Sequence, residues 1–404
     1  MSINKYLPFA IIYFFLNSLG LPFGLTYTAI LAPFFYWWIV VCRKKEILLP
    51  FVLLVLPFVI IHIEIVGVDT KAYLVSLINL TAVYIFCQAS FTFLIRCNDV
   101  EKIFRIILVI NFALCLIAIP FYFSSYFNLF WIEQELTEVI KEFKRLKLFT
   151  YEASYYATLC VPLFFFFLLK IILKQHKTNA WLLLLMITLP FLLSFSFGVI
   201  SAIMLAMVIV FFLLFFRLIR KKRVINIFFL GVTIFLPVVI AVVIFFPDNI
   251  IFQRLQNFFA GQDSSGRGRT TEAFVLAEKL LKGKPDIWGI GPGQIKVSGV
   301  EIIRDYYLYP LDHNVFTIPN ATAETLAVFG WAGLIIRFFV EIFLFFYTKV
   351  WSSYFRMLLF FFMFIYQFTG SFITNLAEYV IWILAFTEVF TQFRINYKNN
   401  IVVR

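Results

Sequence analysis

Residues 199–219 read VISAIMLAMVIVFFLLFFRLI, and Arg220-Lys221-Lys222-Arg223 follows at once. A helix needs about 20 apolar residues to cross a bilayer. This run has that length, with Arg217 as its only charge. The basic cluster behind it marks the side that stays in the cytoplasm. After the next apolar run, at 224–246, the character of the chain changes. Residues 247–319 carry charges and glycines, with acidic and basic residues roughly balanced, before another apolar run opens at 321.

The same length rule, carried outward in both directions, gives about twelve candidate spans. They lie near 6–22, 24–42, 47–66, 72–95, 103–124, 153–173, 179–197, 199–219, 224–246, 321–347, 351–371 and 375–393. The basic clusters are Arg43-Lys44-Lys45, Arg96 with Lys102 and Arg105, Lys170 to Lys177, Arg220 to Arg223, Lys349, and Arg394 to Lys398. With the N-terminus inside, all of them fall on the cytoplasmic side. Both termini are then cytoplasmic, and the polar segments 125–151 and 247–319 both face outward. The expectation is an all-α polytopic membrane protein, one integral domain over 1–404, with a short outer loop and a large folded one.

Composition agrees. The chain is 63% hydrophobic and 14% charged, with a mean hydropathy of +0.95. Soluble domains average about 45–50% apolar and about 25% charged, so the bilayer must act as solvent here. The net charge of +12 reports orientation, and no nucleic-acid partner is expected. Cys42, Cys87, Cys97, Cys115 and Cys160 lie in or beside apolar runs without a Cys-x-x-Cys pair, which argues against a disulfide framework or a zinc site. The first apolar run continues into a second and reads as an uncleaved anchor.

Within the large loop, Thr271–Leu281 (TEAFVLAEKLL) has helical apolar spacing, with Thr270 or Thr271 as its cap. Gly291-Pro292-Gly293 is turn chemistry. A cap of short helices over the membrane domain is expected. In the short loop, residues 133–147 (EQELTEVIKEFKRLK) are charged and helix-compatible.

Several residues carry candidate chemistry. Arg267 and Arg269 stand beside glycines in Gly266-Arg-Gly-Arg-Thr-Thr271. A guanidinium binds phosphate through a planar fork of donors, although the same pair also reads as a solvated basic turn. Trp288-Gly-Ile-Gly-Pro-Gly293 lacks the context of a dinucleotide fingerprint and reads as a tight turn close to another backbone. In Tyr151-Glu-Ala-Ser-Tyr-Tyr156, Glu152 is either a helix cap, favoured on its own by the helix dipole, or a carboxylate paired with an arginine or acting as a base. Glu324 sits one turn inside the span that follows Pro319-Asn320, and an ionisable group there is a functional candidate by default. His313 is a candidate base or an exposed loop histidine. His62 and Glu64 form a weaker pair of candidates, and Glu341, Glu378 and Glu388 are read as packing partners without a role.

At these motifs the chain resembles the O-antigen polymerase (Wzy) and O-antigen ligase (WaaL) superfamily. The Glu152 segment is similar to its Glu-Pro-Ser-x-x-Ala, with Ala153 in place of proline. Leu193-Ser-Phe-Ser-Phe-Gly198 is similar to its Ser-x-Ser-x-Gly. Arg267 and Arg269 through Gly293 follow its Arg, helix and Gly-x-Gly order. Pro319-Asn320 through Glu324 to Gly330-Trp-Ala-Gly333 follows its Pro-Asn, Glu and Gly-x-x-Gly. The resemblance implies a GT-C-like glycosyltransferase of the bacterial inner membrane, without metal or other cofactor, with both loops periplasmic. Its substrates would be oligosaccharide repeats on undecaprenyl pyrophosphate, and its partners membrane lipids and a polysaccharide chain-length regulator. The ligases place a histidine before the Asn position, where this chain has Pro319; polymerisation is therefore expected ahead of ligation to lipid A core. Arg269, Arg267, Glu152, His313 and Glu324 are the expected catalytic residues. Arg254, Asn320, Gly291, Gly293 and Tyr155 are the expected substrate contacts. A polysaccharide-lipid transporter or flippase is the alternative from another class, and would show paired broken helices.

Overall fold

The computed structural model describes residues 6–16, 27–43, 47–134, 143–176, 178–218, 264–308 and 317–395. Helices dominate. α1 (Leu7–Ile11) runs into a π-helical turn at Ile12–Leu16, followed by α2 (Tyr27–Arg43) and α3 (Leu48–Ile61), which ends in a second π turn at His62–Val66. Then come α4 (Thr70–Arg96) and α5 (Val100–Phe121), a hairpin of β1 (Trp131–Gln134) and β2 (Phe143–Leu146), and α6 (Ala153–Ile172), α7 (Ala180–Ser194) and α8 (Phe197–Leu218). Beyond these lie the short α9 (Ser264–Arg269), α10 (Thr271–Leu281) and α11 (Gly299–Tyr307), and finally α12 (Ala321–Tyr347), α13 (Tyr354–Tyr366) and α14 (Leu376–Phe386).

Among the described residues, six helices are long and apolar enough to cross a membrane: Leu48–Val66, Thr70–Arg96, Val100–Phe121, Ala153–Ile172, Phe197–Leu214 and Ala321–Ser352. The chain is a membrane-embedded, mainly helical protein. Its surface explains why water cannot be the solvent. On α3, Leu49, Leu53 and Ile60 are all more than half exposed, as expected of a helix apolar all round whose outer face meets lipid. α6 is the opposite case, buried on every face from Ala153 to Lys170, and α7, α8, α13 and α14 pack against it.

The candidate span at 224–246 lies outside the described residues. Two other expectations need correction. The spans expected at 351–371 and 375–393 are shorter helices, because polar groups end them: Ser353 bridges to Arg394, Gln367 turns the chain, and Asn375 caps the amides of Ala377 and Glu378. The helix-compatible 133–147 segment starts and ends in strands. Trp131 pairs with Leu146 and Gln134 with Phe143 in an antiparallel ladder. Burial decides this: Trp131, Arg145 and Leu146 are buried, and the Trp131 indole N–H donates to the Ala118 carbonyl at 2.8 Å. Those tertiary contacts override a weak local preference.

The described part of the large polar segment, 264–308, is built mainly of short helices, as its periodicity predicts. α10 buries Ala273, Leu276, Ala277, Leu280 and Leu281, one stripe of a helix, in a small core with Ala323, Leu326, Ala327 and Val328 of α12. Full burial of a leucine is worth about 2 kcal/mol, so this stripe alone seats the segment on the first half of α12.

That half is separated from the rest of α12 by a break at Gly330 (φ 64°, ψ −165°). A broken helix leaves carbonyls on one side and amides on the other without partners. Residues 286–291 supply both. The amides of Ile290 and Gly291 donate to the carbonyls of Ala327 and Val328, each at 2.9 Å. The amides of Trp331 and Ala332 donate to the carbonyls of Asp286 and Ile287, at 3.1 and 2.9 Å. Irregular backbone at membrane depth survives only where protein surrounds and satisfies it, and here Gly289 to Pro292 are buried. A Cβ at Gly289 would stand 2.5 Å from the Gly330 nitrogen, so the two backbones approach with no side chain between them.

Candidate functional site

Two sequence-distant polar segments meet at one end of the bundle, around the start of α6. Glu152 occupies the N-cap position, but its side chain caps nothing. The helix-cap reading is thereby corrected: the carboxylate turns instead to Arg269, with Nη2 donating to Oε1 at 2.8 Å. The turn before it is fixed, since the Thr150 hydroxyl reaches the carbonyls of Lys147 and Glu152 at 2.7 and 2.8 Å.

The two arginines have different environments. Arg267 points outward, its side chain 56% exposed, and pairs with Glu272 at the start of α10. Arg269 points inward, at 29%. Its backbone is held as well: the Asn320 Nδ2 donates to the Arg269 carbonyl at 2.8 Å and to the Phe368 carbonyl at 2.7 Å, while Oδ1 caps α12 at the amide of Ala323. Asn320 is fully buried.

A third charge was not singled out by sequence. Arg145 on β2 is 6% exposed and donates from Nε to the Ser194 carbonyl at 2.9 Å. Its charge reaches Glu152. The Ser194-Phe-Ser196 motif thus forms the turn between α7 and α8 that receives Arg145, with both serines buried and Phe195 in the left-handed region at φ 47°. The signal that could have found Arg145 is a basic residue on the inward-facing side of a strand.

Electrostatics follow from this arrangement. Burial works to raise the Glu152 carboxyl, but the charge and hydrogen bond of Arg269, with Ser154 and Arg145, hold it below the usual carboxylate range. Burial works against the Arg269 charge, and Glu152 more than offsets it, so Arg269 stays protonated. A depressed carboxyl stabilises the folded state fully above its ordinary value of 4.5, and that stability is lost as pH falls through the lower folded value. Melting temperature measured from pH 6 down to about pH 3 should therefore fall more steeply in the native protein than in Glu152→Gln. Parallel curves would contradict the pairing.

The remaining candidates divide. Tyr155 is buried in the first turn of α6, its ring 5.0 Å from that of Tyr151. Glu324 does sit one turn inside α12, but its Oε2 accepts the Ile373 amide at 2.8 Å and its charged neighbours are Arg337, Glu378 and Lys296 rather than Arg269. Gly291 and Gly293 are spent on packing: a Cβ at Gly291 would meet Tyr73 at 3.2 Å, and one at Gly293 the Ser76 hydroxyl at 2.6 Å. His62 is fully buried, with Nε2 2.8 Å from the Trp288 carbonyl and Nδ1 3.1 Å from the Tyr73 hydroxyl. A carbonyl only accepts, so Nε2 carries the proton and His62 braces the loop. Glu64 is exposed. Glu388 pairs with Arg394 at the opposite end, where Lys170 pairs with Glu101. Cys87, Cys97, Cys115 and Cys160 form no disulfide among the described residues. Arg254 and His313 lie outside the described residues.

No family model matches the chain, and neither the curated proteins nor the solved structures contain a significant match.

Proposed function

We propose that the chain is a membrane glycosyltransferase that polymerises oligosaccharide repeats carried on undecaprenyl pyrophosphate, with the twelve-span, GT-C-like architecture of the O-antigen polymerases. In this reading it lies in a bacterial inner membrane with both termini cytoplasmic, and the polar segments are periplasmic. The observation that carries the proposal is the half-buried Arg269–Glu152 pair, backed by Arg145, at the mouth of an apolar helical bundle. A substrate with a doubly anionic bridge between a glycan and a hydrocarbon tail matches that boundary chemically.

The reaction breaks the bond from the first sugar to the pyrophosphate, and negative charge grows on the leaving phosphate. Fixed cations aimed at that charge stabilise the transition state. Arg269 uses Nη2 for Glu152, and among the described residues its other donors are left for the anion. Glu152, held ionised by two arginines, is a poor base at neutral pH; its role is to aim Arg269. The acceptor hydroxyl attacks the sugar carbon, and its proton leaves to solvent or to a base.

A transporter reading gains one observation, the broken α12. The gap is filled by the protein's own loop, however, and no second broken helix pairs with it among the described residues. Reconstitution into proteoliposomes with lipid-linked repeats separates the two. Glycan chains of increasing length are expected. Transbilayer movement of the repeat without new glycosidic bonds would replace this reading with transport.

A further inference from the structure

Below the site lies a second polar cluster that the reaction does not touch. Arg337, within α12, pairs with Glu378 of α14 and with Glu341 one turn further on, the latter at 3.1 Å. It also donates to the Gln367 Oε1 at 2.8 Å and to the Thr325 hydroxyl at 3.2 Å. The Thr325 bond crosses the break at Gly330. Gln367 is fully buried and returns its Nε2 to Glu341 at 2.9 Å. Ser371 donates to the second oxygen of Glu378 at 2.6 Å. Charges inside a span are costly unless paired, and here the pairing is organised around one short turn, residues 367–371.

That turn is what receives the start of α12. The Gln367 carbonyl accepts the amide and the hydroxyl of Thr322, at 3.2 and 3.1 Å. The Gly370 carbonyl accepts the Ala321 amide at 3.3 Å. The Phe368 carbonyl accepts the Asn320 side chain, whose second hydrogen bond holds the Arg269 carbonyl. A continuous path of hydrogen bonds and short backbone links therefore runs from the intramembrane cluster through Gln367, the turn and Asn320 to the Arg269 backbone.

We propose that Arg337 and Gln367 are positioning residues for the Arg269–Glu152 pair, acting through the 367–370 turn and Asn320. The coupling stands on geometry alone; its consequence for turnover rests on the function proposed above. In that reading a misplacement of about 1 Å at Arg269 would lower turnover by roughly 100-fold.

A three-way mutant cycle on the full-length protein in detergent tests the coupling without any assay of function. Melting temperatures of Arg269→Ala, Glu152→Ala and their double variant give the interaction between the two residues as a departure from additivity. The cycle is repeated in a Gln367→Leu background, which keeps the side-chain volume but removes both side-chain bonds. The departure is expected to fall by at least half. The same cycle on Lys170 and Glu101, at the far end of α6, is expected to be unchanged, which a general loosening of the fold would not allow. An Arg269–Glu152 coupling that survives Gln367→Leu, or one lost in step with the far pair, overturns the proposal. Should Gln367→Leu fail to accumulate, Asn320→Asp replaces it. That variant keeps the cap on Ala323 and loses the donors to Arg269 and Phe368, with the same two outcomes. Full glycan synthesis by Arg269→Ala would instead defeat the functional reading and leave this coupling standing.

Discussion

Arg269→Ala should remove long-chain glycan from cells that lack the native gene, and Arg267→Ala should not. The sequence around them is nearly symmetric, yet their surroundings separate them. Arg267 is an exposed partner of Glu272, and such pairs contribute little. Arg269 is tied by its side chain to Glu152 and by its backbone to Asn320, with Arg145 nearby. Loss of one preorganised donor at a developing anion costs roughly 100- to 1,000-fold in turnover. With purified protein and lipid-linked repeats, that is the fall expected for Arg269→Ala. Arg269→Lys should fall between, because an ammonium keeps the charge without the fork that serves Glu152 and an anion together. Removing Arg269 also strands a partly buried carboxylate, so protein level must be followed on the same blot. The double variant with Glu152→Gln removes the stranded charge and should restore folding without restoring activity. Normal glycan at normal protein level in both Arg269 variants would remove Arg269 from the mechanism.

What the sequence could reveal tracks the range of the physics involved. Apolar length is local, so α12 was readable to its end residues and α10 to its buried stripe. Pairing is not local. Nothing near Glu152 in the chain shows that residue 269 will neutralise it. Charge within an apolar run is visible, yet nothing local joins Arg337 to Glu378, because that ion pair forms only when α12 meets α14. The Glu/Lys-rich 133–147 segment has helical propensity, and only the seat for Trp131 against Ala118 selects strands. The glycines of the 288–293 loop were legible as a close approach of backbones. Which backbone they approach required the fold, since hydropathy is blind to the break at Gly330.

Gly330→Ala should destabilise the protein severely, and the sign of the effect is as informative as its size. If α12 were continuous, alanine would stabilise it by up to about 1 kcal/mol through helix propensity. The observed backbone reverses that. At φ 64° and ψ −165° only glycine is at ease, and another residue costs about 1–3 kcal/mol in strain. A Cβ there would also collide with the backbone of Asp286 and Ile287. Backbone cannot swing aside as a side chain can, so the loop must leave its seat. Its departure frees four hydrogen-bonded pairs at Ala327, Val328, Trp331 and Ala332, and each group left buried without a partner costs about 1–3 kcal/mol. The sum is comparable to the stability of most domains. Gly198→Ala on α8 is the control, because nothing lies within 4 Å of a Cβ built there. Fluorescence-detected size exclusion and melting in detergent should show Gly198→Ala close to native and Gly330→Ala largely lost, with Gly289→Ala behaving like the latter. A Gly330→Ala protein that melts at or above the native temperature would mean that α12 runs unbroken. The loop would then lose the four hydrogen bonds that hold it at the break.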